Sequence, residues 1–304
     1  MARILVTGAS GFLGRFLPSE LLARGHLVHL AGRNLENTVW PLPLDASCVL
    51  HNVDLLESGA ARSLIAEVRP THLLHLAWYA EPGLFWSSPR NLDWVAASLQ
   101  LYQAFADVGG KRFVGAGTCA EYDWSHDVLS PDSTPLNPST LYGRAKAALF
   151  QMLSDASQTN GISFAWGRIF YPFGPFERPE RLLPTVINKL LRDEPVNLSE
   201  GSQIRDFIYS EDAARMFADL IDSPFEGPVN IASGAGLSIR KFLEIVLRHL
   251  GDANLLRFGN VPPGADATPR MIADITNIPE ISRRIPLIGV EEGVARTVSW
   301  WSSR

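Results

Sequence analysis

What the chain lacks sets the first limits. It carries two cysteines in 304 residues, Cys48 and Cys119, too few for a disulfide framework. No cysteine–histidine cluster has zinc spacing and the seven histidines are scattered, so no metal site is expected. No apolar run approaches the roughly 18–20 residues that a membrane-spanning helix needs, so no membrane partner is expected. Positive charge is not in excess. With 27 Lys and Arg against 32 Asp and Glu, the net charge of −5 gives no global field for nucleic acid or acidic lipid. An anionic ligand must then be held by a few local arginines and backbone amides. Met1 leads straight into the strand-like Arg3-Ile4-Leu5-Val6, with no charged leader or apolar core of a signal peptide, so a cytoplasmic location is expected.

What is present is the composition of a folded globular chain, 46% hydrophobic and 19% charged. The length exceeds the prior of about 150 residues per domain, which suggests two domains. Strands are expected at Arg3–Thr7, Leu27–Ala31, Ser47–Val53, His72–Leu76, Arg112–Gly115 and Ser163–Gly167. Helical patterns lie between them at Arg15–Arg24, Ala60–Val68, Asn91–Asp107 and Thr140–Gln158. Short apolar strands alternating with helices predict a parallel sheet covered on both faces.

After Gly167 the texture changes. The proline-rich stretch Arg168–Glu180 reads as loop, followed by a helix at Leu183–Arg192. A strand–helix pair, Phe207–Tyr209 and Glu211–Ile221, precedes a short strand at Pro228–Ile231. The helix Ile239–Leu250, a Pro/Gly-rich stretch Val261–Pro269 and an amphipathic helix from about Val290 complete the chain. The expected fold is α/β. A Rossmann-type doubly wound parallel sheet occupies 1–170, with 207–232 returning to it, and 171–304 form mainly a smaller substrate-binding domain.

The strongest local signal is Thr7-Gly8-Ala9-Ser10-Gly11-Phe12-Leu13-Gly14, directly after the first strand and opening the first helix. Glycines at 8, 11 and 14 allow a tight turn, close approach of a pyrophosphate and close helix–sheet packing. Alone, such a pattern is also an ordinary strand–helix turn; the strand before and helix after make it a dinucleotide site. Its contacts are expected from Gly8, Ser10, Gly11, Phe12, Leu13 and Gly14.

The Gly-x-x-Gly-x-x-Gly spacing, with Tyr142-Gly143-Arg144-Ala145-Lys146, resembles the extended short-chain dehydrogenase/reductase family of nucleotide-sugar epimerases, dehydratases and ketoreductases. The resemblance runs over nearly the whole chain. It makes Asp54-Leu55 an adenine-contacting pair and sets Leu76-Ala77, within His75-Leu76-Ala77, along the cofactor. It sets Thr118 at the end of the catalytic strand. It also makes Arg168–Pro175 and Arg205–Tyr209 substrate-side signatures. A homodimer paired through helices Asn91–Asp107 and Thr140–Gln158 is a further implication.

Tyr142 and Lys146 fall on one face of a helix. An ammonium near the phenol is expected to lower its pKa from about 10 toward neutrality. Tyr142 could then exchange a proton with a sugar hydroxyl or carbonyl while hydride moves to or from nicotinamide C4. The resemblance implies that Lys146 also holds the nicotinamide ribose and that Thr118 bonds the reacting oxygen. The plain alternative is a surface Tyr/Lys pair.

Three features shape the expected reaction. His29-Leu30-Ala31-Gly32-Arg33-Asn34 offers no carboxylate for a ribose 2′-OH, whereas Arg33 could grip a 2′-phosphate. NADP is therefore the expected cofactor, with NAD possible and a solvated loop arginine as the alternative role for Arg33. Consumption of NADPH fits net ketone reduction better than epimerisation, which needs no outside reducing equivalents. Dehydratases similar to this chain follow the Thr with an acid–base pair; here Cys119-Ala120 supply no proton-transfer group, and Glu121, on a strand, would face away.

On the substrate side, Arg205 resembles a diphosphate-binding arginine, and Arg270 sits where a second phosphate contact occurs. Their alternatives are structural, for Arg205 a salt bridge with Asp206 or Asp212. Tyr171 stands where the family commonly has Asn. Trp78 opens an aromatic stretch to Trp86 that could line a deoxysugar or its base or simply pack the loop, Trp94 reads as helix core, and Asn91 resembles a family asparagine or serves as a helix cap. The expected partner is a nucleotide-diphosphate sugar. An NADPH-dependent ketoreductase leads, an NAD-dependent epimerase follows, and a non-catalytic NADP-binding regulator is third.

Overall fold

The computed structural model describes residues 1–251, 253–262, 268–278 and 287–304. In chain order the strands of the first half are β1 (Arg3–Thr7), β2 (Leu27–Gly32), β3 (Val49–Asn52), β4 (His72–His75), β5 (Arg112–Thr118), β6 (Val128–Leu129) and β7 (Ser163–Ile169). Those of the second half are β8 (Tyr171–Phe173), β9 (Val196–Leu198), β10 (Ile204–Tyr209), β11 (Gly227–Ile231), β12 (Gly236–Ser238), β13 (Leu256–Phe258) and β14 (Arg270–Ala273). The helices are α1 (Leu17–Ala23), α2 (Ala60–Val68), α3 (Arg90–Asp107) and α4 (Leu141–Asn160). They continue as α5 (Leu182–Leu190), α6 (Ser210–Asp222), α7 (Ile239–Leu250) and α8 (Val290–Ser302).

Seven strands form a parallel sheet in the order β11-β7-β5-β4-β1-β2-β3. Alternation along each strand feeds two cores. Ile4 and Val6 of β1, Leu74 of β4 and Val114 of β5 face α1 and α6. Leu5, Leu73 and Phe113 face α2, α3 and α4 on the other side. The strand order reverses between β1 and β4, and in sheets of this kind ligands gather beyond the strand ends at that point.

A second sheet, β12-β10-β14-β6 with β8 beside β10, carries the other wall of the molecule. Helices α5, α7 and α8 pack together beneath it around Phe173, Val186, Phe207, Phe242 and Val294.

Two expectations change here. Helix α6 and β11 do lie against the large sheet, but β10, grouped with them by sequence, belongs to the second sheet. Arg168–Glu180 is not all loop, because β7 runs to Ile169 and Tyr171–Phe173 pair with Phe207–Tyr209. Pro172 is tolerated there because β8 is an edge strand with one partner. Of the Pro/Gly-rich stretch Val261–Pro269, residues 263–267 lie outside the described residues. No helix among the described residues is long and apolar enough to cross a membrane.

Candidate functional site

The glycine turn is built to bring two strand ends together. Gly8 has φ +72°, and a Cβ there would stand 2.7 Å from the Ala77 amide nitrogen, so only glycine lets β1 and the segment after β4 meet. A Cβ on Gly14 would lie 2.2 Å from the Gly8 carbonyl oxygen. Arg15 braces the turn from outside by donating to the carbonyls of Ser10 (2.6 Å) and Gly11 (3.2 Å). The amides of Phe12 and Leu13 find no acceptor among the described residues, and both residues line a cavity.

That cavity, about 910 Å³, runs from the glycine turn to the second sheet. Its first half takes Gly8, Ser10, Gly11, Phe12, Leu13, Gly14, Arg33, Asp54 and Leu55. Leu76, Ala77, Trp78, Thr118, Tyr142, Lys146, Tyr171 and Arg205 line the remainder. The structure brings these together from segments spread from Gly8 to Arg205. Arg270 is not with them: it opens β14 as an exposed residue and is not part of the lining.

Helix α4 delivers Tyr142 and Lys146. Its N-cap Thr140 accepts from the Gly143 amide at 3.1 Å. A Cβ at position 143 would fall 2.2 Å from the Ala120 carbonyl oxygen, so glycine there lets α4 close on the turn that carries Thr118. The Tyr142 amide is tied to the Trp86 carbonyl at 3.1 Å, and Phe85 meets the phenol ring edge-on at 4.9 Å.

The electrostatics differ from expectation. Lys146 does not serve to ionise the phenol. Its Nζ donates to the Ala116 carbonyl at 2.7 Å and lies 3.8 Å from the Trp78 ring centroid. Burial pushes the ammonium down to about 7, against an opposing pull from the Glu121 carboxylate. Burial also holds the Tyr142 phenol above its ordinary value, with the Thr118 hydroxyl working the other way. Burial in this aromatic pocket outweighs the pull of the Arg181 guanidinium, so the phenol keeps its proton.

Thr118 caps a single helical turn, Cys119–Glu121, which replaces the strand expected there. Its Oγ1 accepts from the Ala120 amide at 3.2 Å, and its own amide donates to Glu121 Oε1 at 2.8 Å. Glu121 is thereby turned inward, where Trp166 Nε1 (3.0 Å) and Arg168 Nε (2.7 Å) donate to it in complete burial. Arg168 reaches on to Tyr122, whose hydroxyl donates to Asn230 at 2.7 Å. Cys119 lines the cavity beside Thr118.

His75 is held neutral, pushed down to about 3 by burial with Lys146 adding to the shift. Ser98 donates to the Trp94 carbonyl at 2.6 Å, so it accepts from His75 Nε2 (2.8 Å), and Nδ1 accepts from Thr7 (2.7 Å). Asn91 lies inside α3 and caps nothing. It receives Trp78 Nε1 at 2.9 Å and donates to the carbonyls of Phe85 and Ser88, pinning the aromatic loop. Trp94, read as core, is half-buried and lines the cavity with Phe85 and Trp86.

On the far wall, Arg205 lies 5.4 Å over the Tyr171 ring and donates to the Ile204 carbonyl. Its neighbour Asp206 is engaged by the amides of Ser233, Gly234 and Ala273. Sequence reasoning missed Glu177 and Arg181 of the same wall, because both fall in or beside the proline-rich stretch read as loop. Among the described residues no His/Cys/Asp/Glu cluster could hold a metal ion.

Comparisons with known proteins agree with this architecture. The family described as "NAD dependent epimerase/dehydratase family" matches residues 4–232. A dTDP-6-deoxy-L-talose 4-dehydrogenase (NAD(+)) of Aggregatibacter actinomycetemcomitans is 29% identical over 247 residues, covering 79% of this chain and 88% of that protein. A UDP-glucuronate 4-epimerase of Thermodesulfobacterium geofontis is 28% identical over 320 residues, covering 99% and 96%. The solved UDP-glucose 4-epimerase of Thermus thermophilus, in complex with NAD, superposes with a TM-score of 0.85 at 26% identity over 98% of each chain. A Rossmann-type sheet, a glycine turn at its switch point and a match over most of the length lead to one assignment: the chain belongs to the NAD-dependent epimerase/dehydratase family, within the extended short-chain dehydrogenases/reductases.

Proposed function

We propose that the chain reduces a keto group on a nucleotide-diphosphate deoxysugar, using NADPH. The observation that carries this reading is the convergence of Thr118, Tyr142 and Lys146 in one cavity, between the glycine turn and the arginine-bearing second sheet. The unpartnered amides of Phe12 and Leu13 suit a dinucleotide pyrophosphate. Arg33, exposed at the end of β2 where no carboxylate stands, suits a 2′-phosphate. When bound, the nicotinamide would supply the hydride.

The chain's own residues supply the proton. A phenol that burial keeps protonated suits donation to a ketone oxygen, which is the reducing direction. Thr118 Oγ1 accepts from Ala120 and its hydroxyl bonds the Tyr142 phenol, which suits the pair to meeting the same ketone oxygen. Lys146 is buried beside Trp78, where it can meet the nicotinamide ribose. Arg205 and Tyr171 on the far wall are assigned to the sugar nucleotide, and Trp78, Phe85 and Trp86 exclude water from the reacting carbon.

The relatives favour a second reading, epimerisation with NAD, because the solved epimerase at 26% identity holds NAD. The two separate on one measurement. Purified chain mixed with NADPH and a 4-keto-6-deoxy sugar nucleotide consumes the coenzyme if it is a reductase. Tightly held NAD that co-purifies and is never consumed would replace reductase by epimerase. We also propose a homodimer through α3 and α4, which pack side by side and leave Leu92 and Met152 exposed; sedimentation at micromolar concentration tests it.

A further inference from the structure

Glu177 is the acid of the cavity that this chemistry does not use. It follows Phe176, whose φ of +67° is strained for a side-chain-bearing residue, and that turn directs the carboxyl to the cavity wall. Oε2 is shielded from solvent and has no hydrogen-bond partner among the described residues. A buried, unpartnered carboxyl oxygen on a ligand-lined wall is costly unless a ligand satisfies it.

We propose that Glu177 is a ligand-binding residue that donates, as the neutral acid, to a phosphoryl oxygen in the cavity, and that its ionisation weakens the ligand's hold. The inference rests on the reading of the cavity as a site for diphosphate-bearing ligands. Three observations support it.

The turn carrying Glu177 is fixed, not loose. Phe176 packs edge-on against Phe16 at 5.8 Å, and Arg178 pairs with Glu81 at 2.7 Å across the mouth. The surroundings are cationic. Arg15 (4.7 Å) and Arg304 (5.7 Å) both lie over the Phe176 ring, and Arg181 acts electrostatically on Glu177 from the start of α5. On the side of α6, Gly174 abuts the uncharged Ser210, with Glu211 and Asp212 next along the helix. Lys146 and Tyr142 line the same cavity.

Despite those cations the carboxyl is held as the acid. Burial pushes it up to about 8, outweighing the favourable effects of Arg181 and the Gly174 amide. A neutral carboxyl can donate to a phosphate; a carboxylate repels it. Between the two states the same residue changes from holding an anion to expelling it.

The test is calorimetric binding of NADP⁺, UDP and inorganic pyrophosphate, each alone, at about pH 6.5 and about pH 9.5, on either side of the Glu177 transition. For the probe whose phosphate Glu177 touches, wild-type affinity should fall by about tenfold or more over that range. In Glu177→Gln, an isostere of the acid that cannot ionise, that fall should largely vanish. Lys146 and the probes also titrate, but they do so alike in both proteins, so the difference between the slopes isolates Glu177.

An effect with NADP⁺ assigns the contact to the cofactor, and one with UDP assigns it to the substrate's diphosphate. Identical slopes in wild type and Glu177→Gln for all three probes would overturn the proposal. If neither nucleotide binds the wild-type chain, the functional reading fails. Pyrophosphate then decides Glu177 alone: a slope that depends on Glu177 upholds its role, and no such slope rejects it.

Discussion

The two walls of the cavity are assembled by different means. The wall at the strand ends of the large sheet takes its parts from short contiguous runs, the glycine turn at 8–14 and the helical pair Tyr142/Lys146. The wall toward the second sheet takes single residues from separate strands and turns: Tyr171, Glu177, Arg181 and Arg205. On the first wall, local geometry decides which residues will serve. On the second, serving depends on how distant segments pair, so its chemistry can change without disturbing the glycine turn.

Substitutions can break or sharpen that contrast. The largest effect on turnover should come from Tyr142→Phe, a loss of roughly 10²–10⁴-fold with cofactor affinity nearly kept. Steady-state rates and a separate binding titration check it. A parallel collapse of binding would mean that the phenol supports the wall as well as the reaction.

The largest effect on stability should come from Arg168→Met, which strands the fully buried Glu121 carboxylate at a cost of about 3–5 kcal/mol. Its counterpart on the other wall, Arg178→Met, breaks a pair whose side chains are 51% and 39% exposed. It should cost no more than about 1 kcal/mol. Urea midpoints of the two variants make the comparison direct. Next comes Gly143→Ala, whose added methyl meets the Ala120 carbonyl; a loss of about 1–3 kcal/mol is expected, with turnover reduced as Tyr142 is displaced from Thr118.

The pH dependence of stability sharpens the contrast in another way, because the walls should differ in sign. Lys146 has its folded value lowered from 10.5 to about 7, so within that window the unfolded chain binds the extra proton. Its contribution therefore grows as pH rises through the window and is lost as pH falls toward 7. Glu177 is raised from 4.5 to about 8, so the folded chain binds the extra proton and its contribution falls as pH rises. Melting temperatures of Lys146→Met and Glu177→Gln, set against wild type across both windows, should diverge in opposite directions.

Legibility in the sequence followed the same divide. The glycine turn could be read because its spacing, the strand before it and the helix after it lie within a few residues. The Tyr142/Lys146 pair was legible as a pair but not in its electrostatics. Helical spacing says that the two share a face; it does not say that the Lys146 amine turns to the Ala116 carbonyl and Trp78. Strand β8 was hidden because its pattern is interrupted by Pro172, and only the partner strand β10 makes it extended. Arg270 matched a motif position yet lies on the surface, since its strand is placed by pairing with β10 and β6. Glu177 carried no signal at all, because one acid in a proline-rich stretch becomes significant only when its neighbours bury it.

An amine that sheds its proton near neutrality is a nucleophile as well as a hydrogen-bond donor. With burial holding it down to about 7, Lys146 divides between amine and ammonium near neutrality in a cavity of about 910 Å³, whereas ordinary lysines remain ammonium. A small acylating reagent that entered beside Trp78 would acylate the free-amine fraction of Lys146, expelling its own leaving group and a proton. The desolvation of this side chain thus makes the cavity selectively labelable, with peptide mass mapping able to report which reagent reaches it first.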